Sequence, residues 1–318
     1  MYLKFYKWLQ DPHYLIGASV LRILLGLIVL YTYIVNYPLR HFFWGNSGII
    51  DNQTYNEMNR IFFSVYGWTD STLIFEITYH LGILITLLFT IGVGGKVIQI
   101  FNYVFTLSLF NRNGLISDGG ENLLYLVLFY MLFMNVTAYF TWSNKIKTGG
   151  IFKGFKTKYK DYLSIIHNFG FIFIIVQLCT MYLLSGLYQV MGERWHSGTA
   201  IYYILQVEQY SLNLIPEFLL KNSFFIVLAT YASVLIKIAF PFSLFNRYTK
   251  YIVIIGIVGF HLGILVEMGL VTFSLTMIAV DSLLITDKEY HFIAFKIKEI
   301  KRKLLKRFGR KEYERTSI

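Results

Sequence analysis

The strongest constraint on this chain is a succession of eight apolar runs, at 16–37, 73–92, 97–110, 122–142, 164–186, 223–240, 251–268 and 270–286. A helix that crosses a bilayer needs about 20 predominantly apolar residues. A backbone in hydrocarbon must also satisfy its own polar groups, which a helix does. Eight such runs leave little chain for a soluble domain. Composition agrees: 15% of the 318 residues are charged, against about 25% in ordinary soluble domains. A soluble enzyme and a disordered chain are disfavoured, and the lone Cys179 allows neither an internal disulfide nor a thiol redox pair. The expected fold class is all-α, a polytopic integral membrane helical bundle of about eight spans over 16–287. A short N-terminus, 1–15, precedes it and a basic tail, 288–318, follows. Lys4 and Lys7 precede the first run as they would in a signal peptide. That run is too long for a signal h-region and has no small-x-small site after it, so it reads as a retained helix.

The charges give an orientation. With the N-terminus inside, segments 1–15, 93–96, 143–163, 241–250 and 287–318 face the cytoplasm and hold 22 of the 29 Lys and Arg residues. The outward segments hold Arg40, Arg60, Arg112, Arg194 and Lys221, and Arg22 and Lys237 fall within spans. This is a positive-inside distribution. It predicts a cytoplasmic (inner) membrane protein with both termini cytoplasmic. In the tail, Ile293, Ile297, Ile300, Leu304 and Phe308 recur at helical spacing among lysines and arginines. That pattern predicts an amphipathic cytoplasmic helix on an anionic lipid surface rather than a nucleic-acid site. Two outward segments, 38–72 and 187–221, are aromatic-rich and read as interfacial helices or a lid over the bundle mouth.

Ionisable residues inside spans are costly and become site candidates. Depth divides them: Arg22, His167, Lys237 and Asp281 lie in inner halves, whereas Glu76, His80, His261 and Glu267 lie in outer halves. Matching depth predicts a structural ion pair between Arg22 and Asp281, with Lys237–Asp281 as the other option. Histidines near carboxylates suit proton transfer, which makes His261 and His80 catalytic candidates. No HxxxH or HExxH spacing occurs, so no metal site is expected. The polar turn 110–124 contains Arg112, Asp118 and Glu121. It reads either as the cap of the fourth span or as a site, with Glu121 a further catalytic candidate.

Four stretches carry a resemblance: RILLG at 22–26, LFNRNGLISDGGENLL at 109–124, QLCTMYLLSGLYQVMGERWHSGTAIYY at 177–203 and HLGILVEMGLVTFSLTMIA at 261–279. The chain resembles the bacterial HTTM (horizontally transferred transmembrane) proteins, related to the membrane domain of vitamin K-dependent gamma-carboxylase. Within them it looks most like the sporulation-delaying protein B branch. The carboxylase branch implies a quinone-linked enzyme whose base is a lysine; Gln189 stands at that place, and glutamine is no base, so carboxylation is disfavoured. The other branch implies a membrane factor that assists maturation or export of a secreted antimicrobial peptide precursor beside a small partner protein. A small-molecule or lipid transporter is a third reading. Implied ligands are a quinone or a bound lipid. Trp44, Arg112, Asp118, Trp195 and Glu267 are the expected substrate or peptide contacts, and Gln189 joins the catalytic candidates.

Overall fold

A computed structural model describes residues 2–58, 63–68, 70–116, 118–142 and 159–316. The inner loop at 143–158, Arg60, and the side chains of Leu304 and Phe308 on the tail's apolar face lie outside the described residues. Every regular element among the described residues is helical. The main helices are α1 (Tyr2–Gln10), α2 (Leu15–Val35), α3 (Thr72–Ile91), α4 (Gly95–Arg112), α5 (Gly119–Met131), α6 (Lys160–Met191), α7 (Ser223–Ser243), α8 (Arg247–Met268), α9 (Val271–Asp281) and α10 (Asp287–Thr316). Five of them, α2, α3, α6, α7 and α8, are long and apolar enough to cross a membrane. The protein is thus an all-α, multi-pass membrane bundle. Helix α9 lies at its centre, against α2, α5 and α8, while α7 packs on α6 and α8.

Helix ends follow local chemistry. Asp118 Oδ1 accepts the Gly120 and Glu121 amides at 2.7 and 3.2 Å, and Glu121 Oε2 accepts the Asp118 amide at 3.3 Å. This reciprocal box starts α5. Asp118 Oδ2 also accepts the Thr272 hydroxyl at 3.0 Å, which ties α5 to α9. Gly120 is required there, since a Cβ would sit 2.5 Å from the Phe273 Cα. Between α8 and α9 the chain turns at Gly269, with φ of 65°, the left-handed conformation that glycine adopts without a Cβ penalty.

The run 122–142 is not one helix. Helix α5 stops at Met131 because neighbouring side chains take the carbonyls that follow. Gln99 Nε2 donates to Met131 O at 2.5 Å, and Lys96 Nζ donates to Leu132 O at 2.7 Å and to Met134 O. The Asn135 amide donates to His167 Nδ1 at 2.9 Å. Arg22 completes this polar plug, giving Nη1 to Val136 O at 3.0 Å and Nη2 to Phe140 O at 2.6 Å.

The expected Arg22–Asp281 ion pair is therefore absent from the described residues, and so is the Lys237–Asp281 pair. Equal depth brought neither pair together, because the guanidinium turns towards backbone carbonyls of 136–140 and Asp281 towards Tyr182. Arg22 is fully buried; carbonyl oxygens satisfy part of its hydrogen-bonding demand without a counter-charge.

At the other end, residues 36–58 and 63–68 fold over α2–α4 in short helical turns. Trp44 is fully buried, with its ring 5.9 Å from that of Tyr79. Tyr33 and Tyr66 share a 2.6 Å hydroxyl contact, and the Tyr79 hydroxyl donates to Tyr33 O at 2.8 Å. Helices α2 and α10 meet at the opposite end, where the amides of Leu15 and Ile16 donate to the Asp287 carboxylate at 3.1 and 2.7 Å. A carboxylate at a helix N-terminus is favoured by the orphan amides and the dipole.

Candidate functional site

Helices α6 to α9 bring four ionisable or polar side chains together inside the bundle. Tyr182 of α6 is the hub: its hydroxyl donates to Asp281 Oδ2 of α9 at 3.2 Å and lies 3.3 Å from His261 Nε2 of α8. All three are at least 98% buried. Phe240 and Phe273 wall them in, with ring centroids 4.5 Å from Tyr182 and 5.5 Å from His261. His261 Nδ1 and Asp281 Oδ1 have no hydrogen-bond partner among the described residues. A buried polar atom without a partner is expensive, so the trio carries unspent capacity to accept or give a proton.

Lys237 of α7 is the fourth group, and only 6% of it is exposed. Its ammonium lies 4.2 Å from the Phe260 ring centroid and 5.9 Å from that of Trp195, within reach of the aromatic faces. His261 is within its electrostatic range.

Next to these groups is a cavity of about 500 Å³ between α6, α7, α8 and the turns after α6. Its wall is mostly aliphatic and aromatic, with Gln189, Trp195, Ser233 and Glu267 as the polar exceptions. Glycines on α8 keep it open: a Cβ added at Gly259 or Gly263 meets nothing within 4 Å. Phe260 lines the cavity, and its ring centroid lies 5.2 Å from that of His261, the next residue on α8. The Gln189 Oε1 atom is buried without a partner among the described residues.

Glu267 closes the outer edge. It is 2% exposed, and its carboxylate accepts the Ser211 hydroxyl at 3.0 Å and the Leu214 and Ile215 amides at 3.1 and 2.9 Å. The Leu212 amide donates to the Glu267 backbone carbonyl at 2.7 Å. The carboxylate thereby straps segment 211–215 across the cavity, where Ile215 and Glu267 itself form part of the wall.

The other expected site residues are placed apart. His80 is exposed, near Tyr37 at 2.9 Å and Glu76 at 3.4 Å, in a cluster where Glu76 also bonds Arg40 and His41 at 2.7 and 2.6 Å. Glu121 and Asp118 serve the cap of α5. Arg112 is buried and donates to Gly45 O at 2.9 Å and Asn52 Oδ1 at 3.0 Å, which holds the outer segment to α4. Trp44 is core. Thus Gln189, Trp195 and Glu267 meet at the cavity and His261 lies behind it, whereas Trp44, His80, Arg112, Asp118 and Glu121 belong elsewhere. Sequence reasoning missed Tyr182 altogether and took Lys237 as a strut. Tyr182 lies within the 177–203 stretch, but one tyrosine among 25 carries no mark of its own. Among the described residues no group of three or more His, Cys, Asp or Glu side chains is placed to hold a metal ion.

No protein-family profile matches the chain, and no solved structure matches it. It is 26% identical over 212 residues to "Uncharacterized protein YitO" of Bacillus subtilis (strain 168), an alignment that covers 64% of this chain. The chain thus spans 65% of that relative's length.

Proposed function

We propose that the protein is a membrane enzyme that takes one lipophilic substrate, an isoprenoid quinone or a similar lipid, into the cavity between α6, α7 and α8. There it exchanges protons with the substrate's head through His261, Tyr182 and Asp281. The observation that carries this reading is a fully buried hydroxyl–imidazole–carboxyl chain one aromatic ring away from an apolar cavity of about 500 Å³. Sites of this kind, apolar with a few convergent polar groups, are the usual form of ligand pockets. A quinone, once bound, would supply the redox chemistry; the chain's own groups orient its head, move protons and keep water out. Glutamyl carboxylation is not proposed, since the position that the resemblance gives to the base is the carboxamide of Gln189. Purified protein in lipid nanodiscs should bind or turn over a reduced naphthoquinone saturably, and His261→Ala should abolish this. Binding no greater than that of empty nanodiscs would overturn the reading.

The reading includes eight crossings with both ends cytoplasmic. Its support is the bond between Asp287 and the start of α2, which asks for an even number of crossings. The excess of Lys and Arg in the inner segments assigns that side to the cytoplasm. Helices α4, α5 and α9 then cross as shorter elements, with the polar plug at 132–142 completing α5. The exposed Ile293, Ile297 and Ile300 beside the basic residues of α10 support a tail lying on anionic lipid.

A second reading, maturation of a secreted antimicrobial peptide precursor with a small partner protein, draws on the outer segment after α6. Tyr210, Leu212, Leu214 and Phe218 are all exposed there, an apolar surface suited to a lipid or peptide chain. On that reading, deletion of the gene leaves a precursor encoded beside it immature while its transcript stays normal.

A further inference from the structure

Lys237 carries a charge that no described residue of this site balances. It projects from the middle of an apolar helix, 94% buried, and forms neither a salt bridge nor a hydrogen bond among the described residues. Neither buried carboxyl group of the site pairs with it among the described residues. Asp281 accepts the Tyr182 hydroxyl, and Glu267 accepts three donors from segment 211–215. A buried ammonium without a counter-charge is costly, and two aromatic faces recover only a small part of that cost.

The position of the lysine says where the missing charge belongs. Ser233, one turn before it on α7, and its neighbour Ile236 are both cavity wall. So are Trp195 and Phe260, the two rings that flank the ammonium. Lys237 is not itself wall; it lies just beyond the end of the aliphatic cavity formed by Ile236 and Gly256, and Glu267, already satisfied, closes the opposite end. Between these ends an alkyl chain meets only apolar wall, apart from Gln189 and Ser233. We infer that the cavity takes an amphiphile with an anionic head, carboxylate or phosphate, whose charge pairs with Lys237 while its chain lies along α7 and α8.

This rests on the reading of the cavity as a lipophile site and adds the charge of the head. The shared chemistry is an acid on an alkyl chain. The test compares hexadecanoate and hexadecyl phosphate with uncharged methyl hexadecanoate, each titrated into the full chain in nanodiscs of neutral lipid. The expected result is that at least one acid binds tighter than the ester by about tenfold or more, the size of one charge-assisted hydrogen bond away from water. The tighter acid names the source. Lys237→Met should bring that ratio close to one with ester affinity retained, and Lys237→Arg should preserve it. Should Lys237→Met fail to fold, the ratio in the unmodified chain still decides. Equal binding of acid and ester, blocked by Gly263→Leu, overturns the charge inference and leaves the cavity reading standing. If no probe binds more tightly than to the Gly263→Leu chain, the cavity reading falls and takes the inference with it.

Discussion

Glu267→Gln tests whether the strap over the cavity is held by charge. Gln has the shape of Glu, so its carbonyl oxygen can stay against the Leu214 and Ile215 amides at 3.1 and 2.9 Å. Its NH₂ group can then face the Ser211 oxygen, where the carboxylate accepted a bond at 3.0 Å. The geometry survives and the charge is lost. A hydrogen bond to a charged group contributes about 1.5–3 kcal/mol, and a neutral one about 0.5–1.5 kcal/mol. With about 1–1.5 kcal/mol lost at each of the two amides, local anchoring falls by about 2–3 kcal/mol. At about 1.4 kcal/mol per decade, opening of the strap becomes about 30- to 150-fold more frequent. Hydrogen exchange of the protein in nanodiscs reads this as faster exchange at Leu214 and Ile215. The Leu212 amide is an internal reference, because it bonds the Glu267 backbone carbonyl, which the substitution leaves in place. Glu267→Ala should accelerate the same amides further. Unchanged exchange at 214 and 215 in both variants would refute the reasoning, as would equal acceleration throughout the bundle.

Gly26 packs against α3, where an added Cβ would lie 2.2 Å from Thr90 Oγ1 and 3.0 Å from Thr90 Cβ. Gly26→Ala should cost about 1–3 kcal/mol as an overpacked contact, read as mixed-micelle unfolding, and Thr90→Ala should recover at least half; an unchanged midpoint in Gly26→Ala counts against the close approach. Arg22→Met removes two charge-assisted bonds to Val136 O and Phe140 O and should destabilise by about 2–4 kcal/mol. In a double-mutant cycle with Asp281→Asn the coupling should stay below about 0.5 kcal/mol, and a coupling of 1 kcal/mol or more would reinstate an ion pair. At the start of α10, burial pushes the Glu289 carboxyl up, but bonds from Thr286, Tyr251 and Lys250 outweigh it and hold the group at about 2, below its usual 4.5. Its contribution is therefore complete above pH 4.5 and lost as the pH falls towards 2. Protease protection of the α8–α10 junction should weaken over that window, whereas in Glu289→Gln it should not vary with pH there.

Some of this was legible in the sequence and some was not, for identifiable reasons. The bundle was readable because the bilayer writes its demand locally, as consecutive apolar residues. The start of α5 was readable too, since Asp118 and Glu121 stand three apart, as a capping box requires. Its end was not, because Lys96, Gln99 and Arg22 terminate it from other helices and nothing within 122–142 announces that. Depth along a span gave height but not rotation about the helix axis, so it matched Arg22 with Asp281 although the two side chains turn to different partners. The dense polar turn at 110–124 resolves into fold-building bonds, most of its side chains finding partners in α5, α9 or the outer segment. In a membrane interior a polar side chain that has found its partners is structure. Other buried polar atoms, among them those of Asn102, Thr106 and Ser108 on α4, also lack a partner among the described residues; the ammonium of Lys237, His261 Nδ1, Asp281 Oδ1 and Gln189 Oε1 differ from them in lying beside a cavity. They come from four different helices and gather around one apolar cavity and the ring of Phe260. That convergence separates a site from a set of buried polar residues, and spacing along the chain could not have contained it.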